Sequence, residues 1–271
     1  MPYARRLILP AVFGLACAVA AAAPSHSQER SNWLDRCEGQ NGRNRVTLCL
    51  EKEMTLPAAR GKLVVNARPN GGITVTGANR RDVRMVARIQ AHARREGDAR
   101  EILEAVEVRT DGEIRATGPR TRDNEGWSVS FVLEVPRSSD LGLSSTNGGI
   151  SVEGVEGDMD LATTNGGLTL AAVAGAVRGR TTNGGVTVEL DGSSWQGTGL
   201  DVQTTNGGVR LRVPERYNAR LETGTVNGGL SFDFPVTVQG RMSRHLTTDL
   251  GSGGPPIRVV TTNGGVTVQR K

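Results

Sequence analysis

Three cysteines and three histidines are the side chains best suited to nucleophilic, redox or metal chemistry in this chain of 271 residues. Cys17 lies in an apolar N-terminal run, which leaves Cys37 and Cys49; the histidines are His26, His92 and His245. The Cys37/Cys49 spacing lacks the CxxC of a redox pair and has no nearby histidine to complete a zinc set. The pair is therefore expected to form a structural disulfide. On the chain-entropy model, closing a loop of about 13 residues contributes roughly 3 kcal/mol. No serine stands in a GxSxG elbow, and no glycine-rich phosphate loop carries its lysine. Glycoside chemistry would need clustered carboxylates and an aromatic sugar platform, yet aromatics make up only 3% of the chain. The inventory predicts no catalytic residues, no cofactor and no metal; the protein is not expected to be an enzyme.

Two charged sets remain. Glu153, Glu156, Asp158 and Asp160 suggest calcium, but Met159 and Leu161 alternate with them as core residues, and the nonapeptide of calcium-binding β-rolls is missing. They read as the wet side of a strand. Arg80, Arg81, Arg84 and Arg88, followed by Arg94, Arg95 and Arg100, form the most basic segment. The first four are a candidate patch for an anionic ligand such as a lipid headgroup or acidic polysaccharide.

The most repeated chemistry is amide and hydroxyl. Asn-Gly-Gly begins at Asn70, Asn147, Asn165, Asn183, Asn206, Asn227 and Asn263, and most copies follow a Thr or a Thr pair. In stacked coils these asparagines would form a ladder of side-chain amides beside rows of Thr hydroxyls. The structural reading is that Asn takes a left-handed turn and Gly-Gly follows where a side chain would clash. The alternative is a flat polar surface for a repeating ligand such as glycan or ice. An ice-binding face would need outward Thr at fixed strand positions, whereas these Thr sit at the turn.

The elements that must position these residues follow from the intervals. Asn147 to Asn165 and Asn165 to Asn183 are 18 residues each, and the units align: Ile150 with Leu168, Val152 with Leu170, Met159 with Val177, Thr163 with Thr181. Side chains that recur in this way stack one strand spacing apart, about 4.8 Å. The later intervals are longer, with the extra residues at Gly192–Gly199 and Pro214–Asn218. Those loops and the Arg-rich segment are better placed for binding than the repeat itself. The spacing predicts an all-β solenoid with NGG corners. The competing reading is an antiparallel β-sandwich or propeller of Asn-Gly hairpins.

Arg5 and Arg6 followed by the apolar run Leu7–Ala23 read as a secretory signal peptide over residues 1–27. A lipoprotein box at Cys17 is poorly formed, because Gly14 stands where Leu is wanted. No later run is long enough to span a membrane. Losing Arg5 and Arg6 takes the formal charge from +5 to +3, too small to imply nucleic acid. Residues 28–59 read as a disulfide-tied N-terminal cap, and 60–271 as the repeat domain with an insert over 78–136. Within the insert the pattern predicts a β-α-β-β unit on one side or end of the stack. Its helix is expected at Ala99–Ala105, capped by Asp98 with Glu101 three residues on, and a hairpin turn at Asp111-Gly112. Trp127, Trp195 and Tyr217 read as cap or loop packing.

Several stretches resemble a bacterial family labelled putative adhesin, a domain of unknown function also called toast-rack. They are Asn70-Gly71-Gly72-Ile73-Thr74-Val75-Thr76-Gly77, Trp127-Ser128-Val129-Ser130 leading into Val135-Pro136, the TTNGG series, and Trp195 to Thr205. The resemblance covers roughly Arg60 to Lys271. It implies a β-solenoid, single-stranded and right-handed, in an exported protein, periplasmic or at the cell surface. It also implies a binding or adhesin-like module whose partner is an envelope glycan, a lipid or a surface protein. The alternative is an envelope-stress component that senses or sequesters envelope-active molecules. The family has no agreed catalytic residues to carry over.

Overall fold

The computed structural model describes residues 26–38, 41–42, 44–234 and 244–271. The expected signal peptide, with Cys17, lies outside these residues apart from its last two positions. Those two open a helix the sequence did not announce, α1 (His26–Glu38), followed by β1 (Val46–Pro57), β2 (Leu63–Asn66) and β3 (Ile73–Ala78). The insert region gives β4 (Asp82–Ala93), α2 (Glu96–Glu104), β5 (Glu107–Arg109), β6 (Glu113–Thr117) and β7 (Gly126–Pro136). The repeat continues as β8 (Leu141–Ser144), β9 (Ile150–Glu153), β10 (Glu156–Asn165), β11 (Leu168–Ala171), β12 (Ala174–Asn183) and β13 (Val186–Glu189). It ends with β14 (Gly199–Asn206), β15 (Val209–Val213), β16 (Ala219–Asn227), β17 (Leu230–Phe232), β18 (His245–Leu250), β19 (Pro256–Asn263) and β20 (Val266–Arg270).

The described residues are all-β apart from two short helices, and their strands form two ten-stranded sheets. The first runs β1-β4-β7-β3-β9-β11-β13-β15-β20-β17, the second β18-β16-β19-β14-β12-β10-β8-β2-β6-β5. From β8 to β15 each strand lies in the sheet opposite its predecessor and pairs in parallel with the strands one unit away. Parallel pairing removes the hairpin alternative, which requires antiparallel neighbours. The register follows the sequence alignment: Leu168 faces Ile150, Met159 faces Leu141 and Val177, and Thr163 faces Thr181. Alternation buries one side of each strand, so Val152, Leu170, Val188, Leu211 and Val268 line one continuous core from the first sheet. Val65, Leu143, Leu161, Val202 and Val259 meet them from the second. At roughly 25 cal/mol per Å2 of apolar area, full burial of each such side chain favours the folded chain by about 2 kcal/mol.

Coil order in space departs from coil order in the chain at both ends. β6–β7 lies outside β2–β3, and β19–β20 lies between β14–β15 and β16–β17. The insert thus does more than pack on an end, because its residues 113–136 are themselves a coil in parallel register with β2 and β3. Antiparallel strands are added at the ends of the stack: β4 and β1 beyond β7, β5 beyond β6, and β18 beyond β16. They cover the edges of the coils, and β1, β17, β18 and β5 become the edge strands of the two sheets.

Asp98 does not cap α2. The helix starts at Glu96, its N-cap is Arg95 in extended conformation with no side-chain cap, and Asp98 sits in the first turn. There Glu96 and Asp98 meet the positive end of the helix dipole, which offsets the missing cap. α1 carries only Trp33, Leu34 and Cys37 as apolar residues, too few for a helical stripe. It is held instead by the Cys37–Cys49 disulfide to β1.

Candidate functional site

The asparagines of the repeat come together at one corner. Side-chain amides donate in a continuous series: Asn147 to Asn70 at 2.8 Å, Asn165 to Asn147 at 2.8 Å, Asn183 to Asn165 at 2.9 Å, and Asn206 to Asn183 at 2.9 Å. The series continues from Asn263 to Asn206 and ends with Asn227 to Asn263, so it follows coil order in space. None of the seven has a positive φ, which corrects the left-handed turn expected for them; among the described non-glycine residues only Asn124 and Ala172 do. Each closes or follows a strand in extended backbone, leaving its side chain free to point along the stack.

The first glycine of each copy is required by contact between coils. A Cβ at Gly148, Gly166, Gly184 or Gly207 would lie 2.1–2.2 Å from the carbonyl oxygen of the neighbouring coil's glycine. Where a Thr stands two residues before the Asn it is buried: Thr163, Thr181, Thr204 and Thr261 donate to Gly148, Gly166, Gly184 and Gly207 carbonyls at 2.7–2.8 Å. These hydroxyls satisfy backbone acceptors at a turn where no strand partner reaches them. The next Thr of each pair, Thr164, Thr182, Thr205 and Thr262, is exposed.

A second hydroxyl row, not expected from the sequence, runs across the outward face of the first sheet. Thr74, Ser151, Thr169 and Thr187 face one another on adjacent strands. The signal was the small polar residue between two apolar ones after six of the seven Asn-Gly-Gly copies, as in Leu168-Thr169-Leu170 and Val186-Thr187-Val188; the exception is Arg210. At one end this row passes beneath Trp33 of α1, where the sheet and the helix form a groove of about 480 Å3. Arg88 stacks over the Trp33 ring at 5.4 Å and gives its Nε–H to the buried Glu51 carboxylate at 2.8 Å.

The candidate arginine patch is largely paired. Arg80 contacts Asp82 and Glu134 at 2.8 and 2.6 Å, and Arg84 contacts Glu53 and Glu134 at 2.6 and 3.0 Å. The Glu53 carboxylate, helped by Glu134, holds the Arg84 guanidinium above its ordinary pKa despite partial burial. Arg81 alone of the four is exposed and without an ion pair among the described residues. An anion arriving here would compete with carboxylates already in place. In the acidic run, Asp160 pairs with Lys62, and among the described residues no three His, Cys, Asp or Glu side chains could hold a metal ion together. His92 is pushed below its ordinary pKa by burial and by the charge of Arg45. Facing it across the ladder, Thr47 keeps a buried hydroxyl with no hydrogen-bond partner among the described residues.

The two long loops act as plugs. Trp195 is buried and donates its indole N–H to Gly175 O at 3.0 Å, and Tyr217 is buried beside it in the core. Asn218 ties the loops together through the Ser193 carbonyl. Trp127 gives its indole N–H to Pro119 O at 3.0 Å.

No helix among the described residues is long and apolar enough to cross a membrane. No curated protein matches the chain. Among solved structures it is similar to a putative cell adhesion protein from Clostridium sporogenes, at 11% identity and a TM-score of 0.47, covering 82% of this chain and 100% of that one. A putative adhesin from Bacteroides fragilis gives 10% identity and 0.37, with 82% and 97% covered. A putative lipid binding protein from Parabacteroides distasonis gives 6% and 0.31, with 81% and 96% covered. Likeness of this degree says nothing of what the present chain binds. The family model for Toastrack DUF4097 matches residues 55–269, which takes in nearly every strand of both sheets. The chain belongs to the Toastrack DUF4097 family.

Proposed function

We propose that this chain is an exported, non-catalytic β-solenoid that binds a component of the cell envelope or cell surface. The observation that carries this reading is the outward face of the first sheet, where in-register strands hold Thr74, Ser151, Thr169 and Thr187 in one straight row. A rigid row of evenly spaced donors and acceptors suits a surface ligand, because little side-chain ordering remains to oppose binding. The Asn-Gly-Gly corners serve as scaffold in this reading: their amides are spent on one another. A right-handed coil is the hand expected when the chain leaves a strand, crosses over and returns to pair in parallel with it in the same sheet. The basic, apolar N-terminus and the Cys37–Cys49 disulfide support export into an oxidising compartment.

The purified mature chain should bind at least one member of a panel of glycans, peptidoglycan fragments and lipid vesicles. No binding above background to any of them overturns the reading. Cell fractionation tests export: the processed protein belongs in the periplasm or the medium, and a cytoplasmic pool with its leader intact would contradict the assignment.

A further inference from the structure

The groove beside α1 is the part of the outward face with the most defined chemistry. Its floor is the first-sheet surface carrying Thr74, Ser130, Ser151 and Thr169, and its wall is Trp33 with Arg88. A volume of about 480 Å3 is in the range of ligand-binding clefts. Thr74, Ser151 and Thr169 make no side-chain hydrogen bond among the described residues. Ser130 Oγ accepts the Gly72 N–H at 3.1 Å, which leaves its own hydrogen to donate. The wall is fixed: Cys37 lies one helical turn beyond Trp33 and is bonded to Cys49, and Arg88 holds the indole from the sheet side.

This chemistry discriminates among ligands. An acidic ligand gains little, because the nearby guanidinium is already matched by Glu51. A lipid tail would rest on a floor of hydroxyls. An added peptide strand would find no free backbone, since β3, β9 and β11 are each paired on both sides. A pyranose chain suits this surface: its hydroxyls can meet a hydroxyl row whose strands lie about 4.8 Å apart, and its C–H face can lie against the indole.

We propose that this groove binds a neutral, extended oligosaccharide stacked on Trp33 and hydrogen-bonded to Thr74, Ser151 and Thr169. The inference rests on the surface-binding role proposed above and names its ligand class. Calorimetry on the mature protein tests it with cellohexaose and chitohexaose, with a heparin hexasaccharide and anionic phospholipid vesicles as competing ligand classes. Binding of either neutral hexasaccharide is expected, weakened about threefold to tenfold by Thr169→Val, which removes one hydroxyl and keeps the strand shape. Trp33→Ala should weaken it at least as much, and Thr182→Val at the far corner should leave it unchanged. Because Trp33→Ala also removes packing that holds α1, Thr169→Val is the deciding variant. Failure of both neutral hexasaccharides to bind, or binding indifferent to Thr169→Val, overturns the inference. If vesicles or heparin bind instead, the groove assignment falls while the surface-binding role stands; if nothing binds, both fall.

Discussion

At the scale of single residues, the two glycines of one repeat copy have different jobs. A Cβ on Gly184 would lie 2.1 Å from Gly166 O, whereas on Gly185 its nearest contact is Gly208 O at 3.4 Å. Gly184→Ala should therefore cost about 3 kcal/mol in urea denaturation through forced separation of coils, and Gly185→Ala well under half of that. Asn183 donates to Asn165 and accepts from Asn206, so Asn183→Ala should cost about 1 kcal/mol; both orphaned partners can turn to water. Asn79→Ala, at an exposed position outside the ladder, is the control. Burial, aided by the Asp191 charge, pushes the Tyr217 phenol up to about 12. Since this pKa is raised on folding, its contribution is intact below the unfolded value near 10 and is lost as pH rises from there toward 12. Only two tyrosines exist, and Tyr3 falls in the expected signal peptide, so phenolate absorbance of a chain starting after residue 27 follows Tyr217 alone. A midpoint near 10 in the folded protein would contradict its burial. The asparagine and glycine positions were legible in the sequence because each is fixed by contact with its own copy. The conformation of the asparagines was not: Asn-Gly reads alike whether the chain reverses or merely turns a corner.

At the scale of elements, strands with alternating burial were readable, whereas α1 was not. Ile150-Ser151-Val152 and Leu168-Thr169-Leu170 declare a strand with one wet face. The identity of that wet face was harder, since a lone hydroxyl between two aliphatics looks like ordinary surface until its neighbours in space are known. α1 escaped notice because its stability comes from a covalent tie and from Trp33 against Arg88 rather than from an apolar stripe. A Cys37→Ser/Cys49→Ser double variant should lose roughly 3 kcal/mol of stability, and limited proteolysis should then cut within residues 26–38 before the repeat. Equal resistance of that segment with and without the disulfide would show that packing alone holds it.

At the scale of the molecule, the order of coils could not be read from the repeat. Val209-Arg210-Leu211 and Val266-Thr267-Val268 present the same kind of apolar pair to the core, so either could follow β13 without mismatch. What decides is the chain between Asn227 and Asn263, too long for one coil, which builds β18 and returns. Because β19–β20 lies inside the stack, removing residues 256–271 should do more than shorten it. Hydrogen exchange of such a truncated chain should show protection lost from β16–β18 as well as from β14–β15, whereas loss confined to the chain terminus would contradict the order described here.

That placement also bears on synthesis. The ribosome makes a chain from its N-terminus, at about 5–20 residues per second, so this wedge is made after the coils on both sides of it. Until Arg270 is made, β17 has no native partner, β16 pairs only with β18, and β14–β15 keeps an open edge. A nascent chain in that condition stays loose at its trailing end, a useful state for one that, if exported as proposed, must be threaded through a translocation pore before it folds.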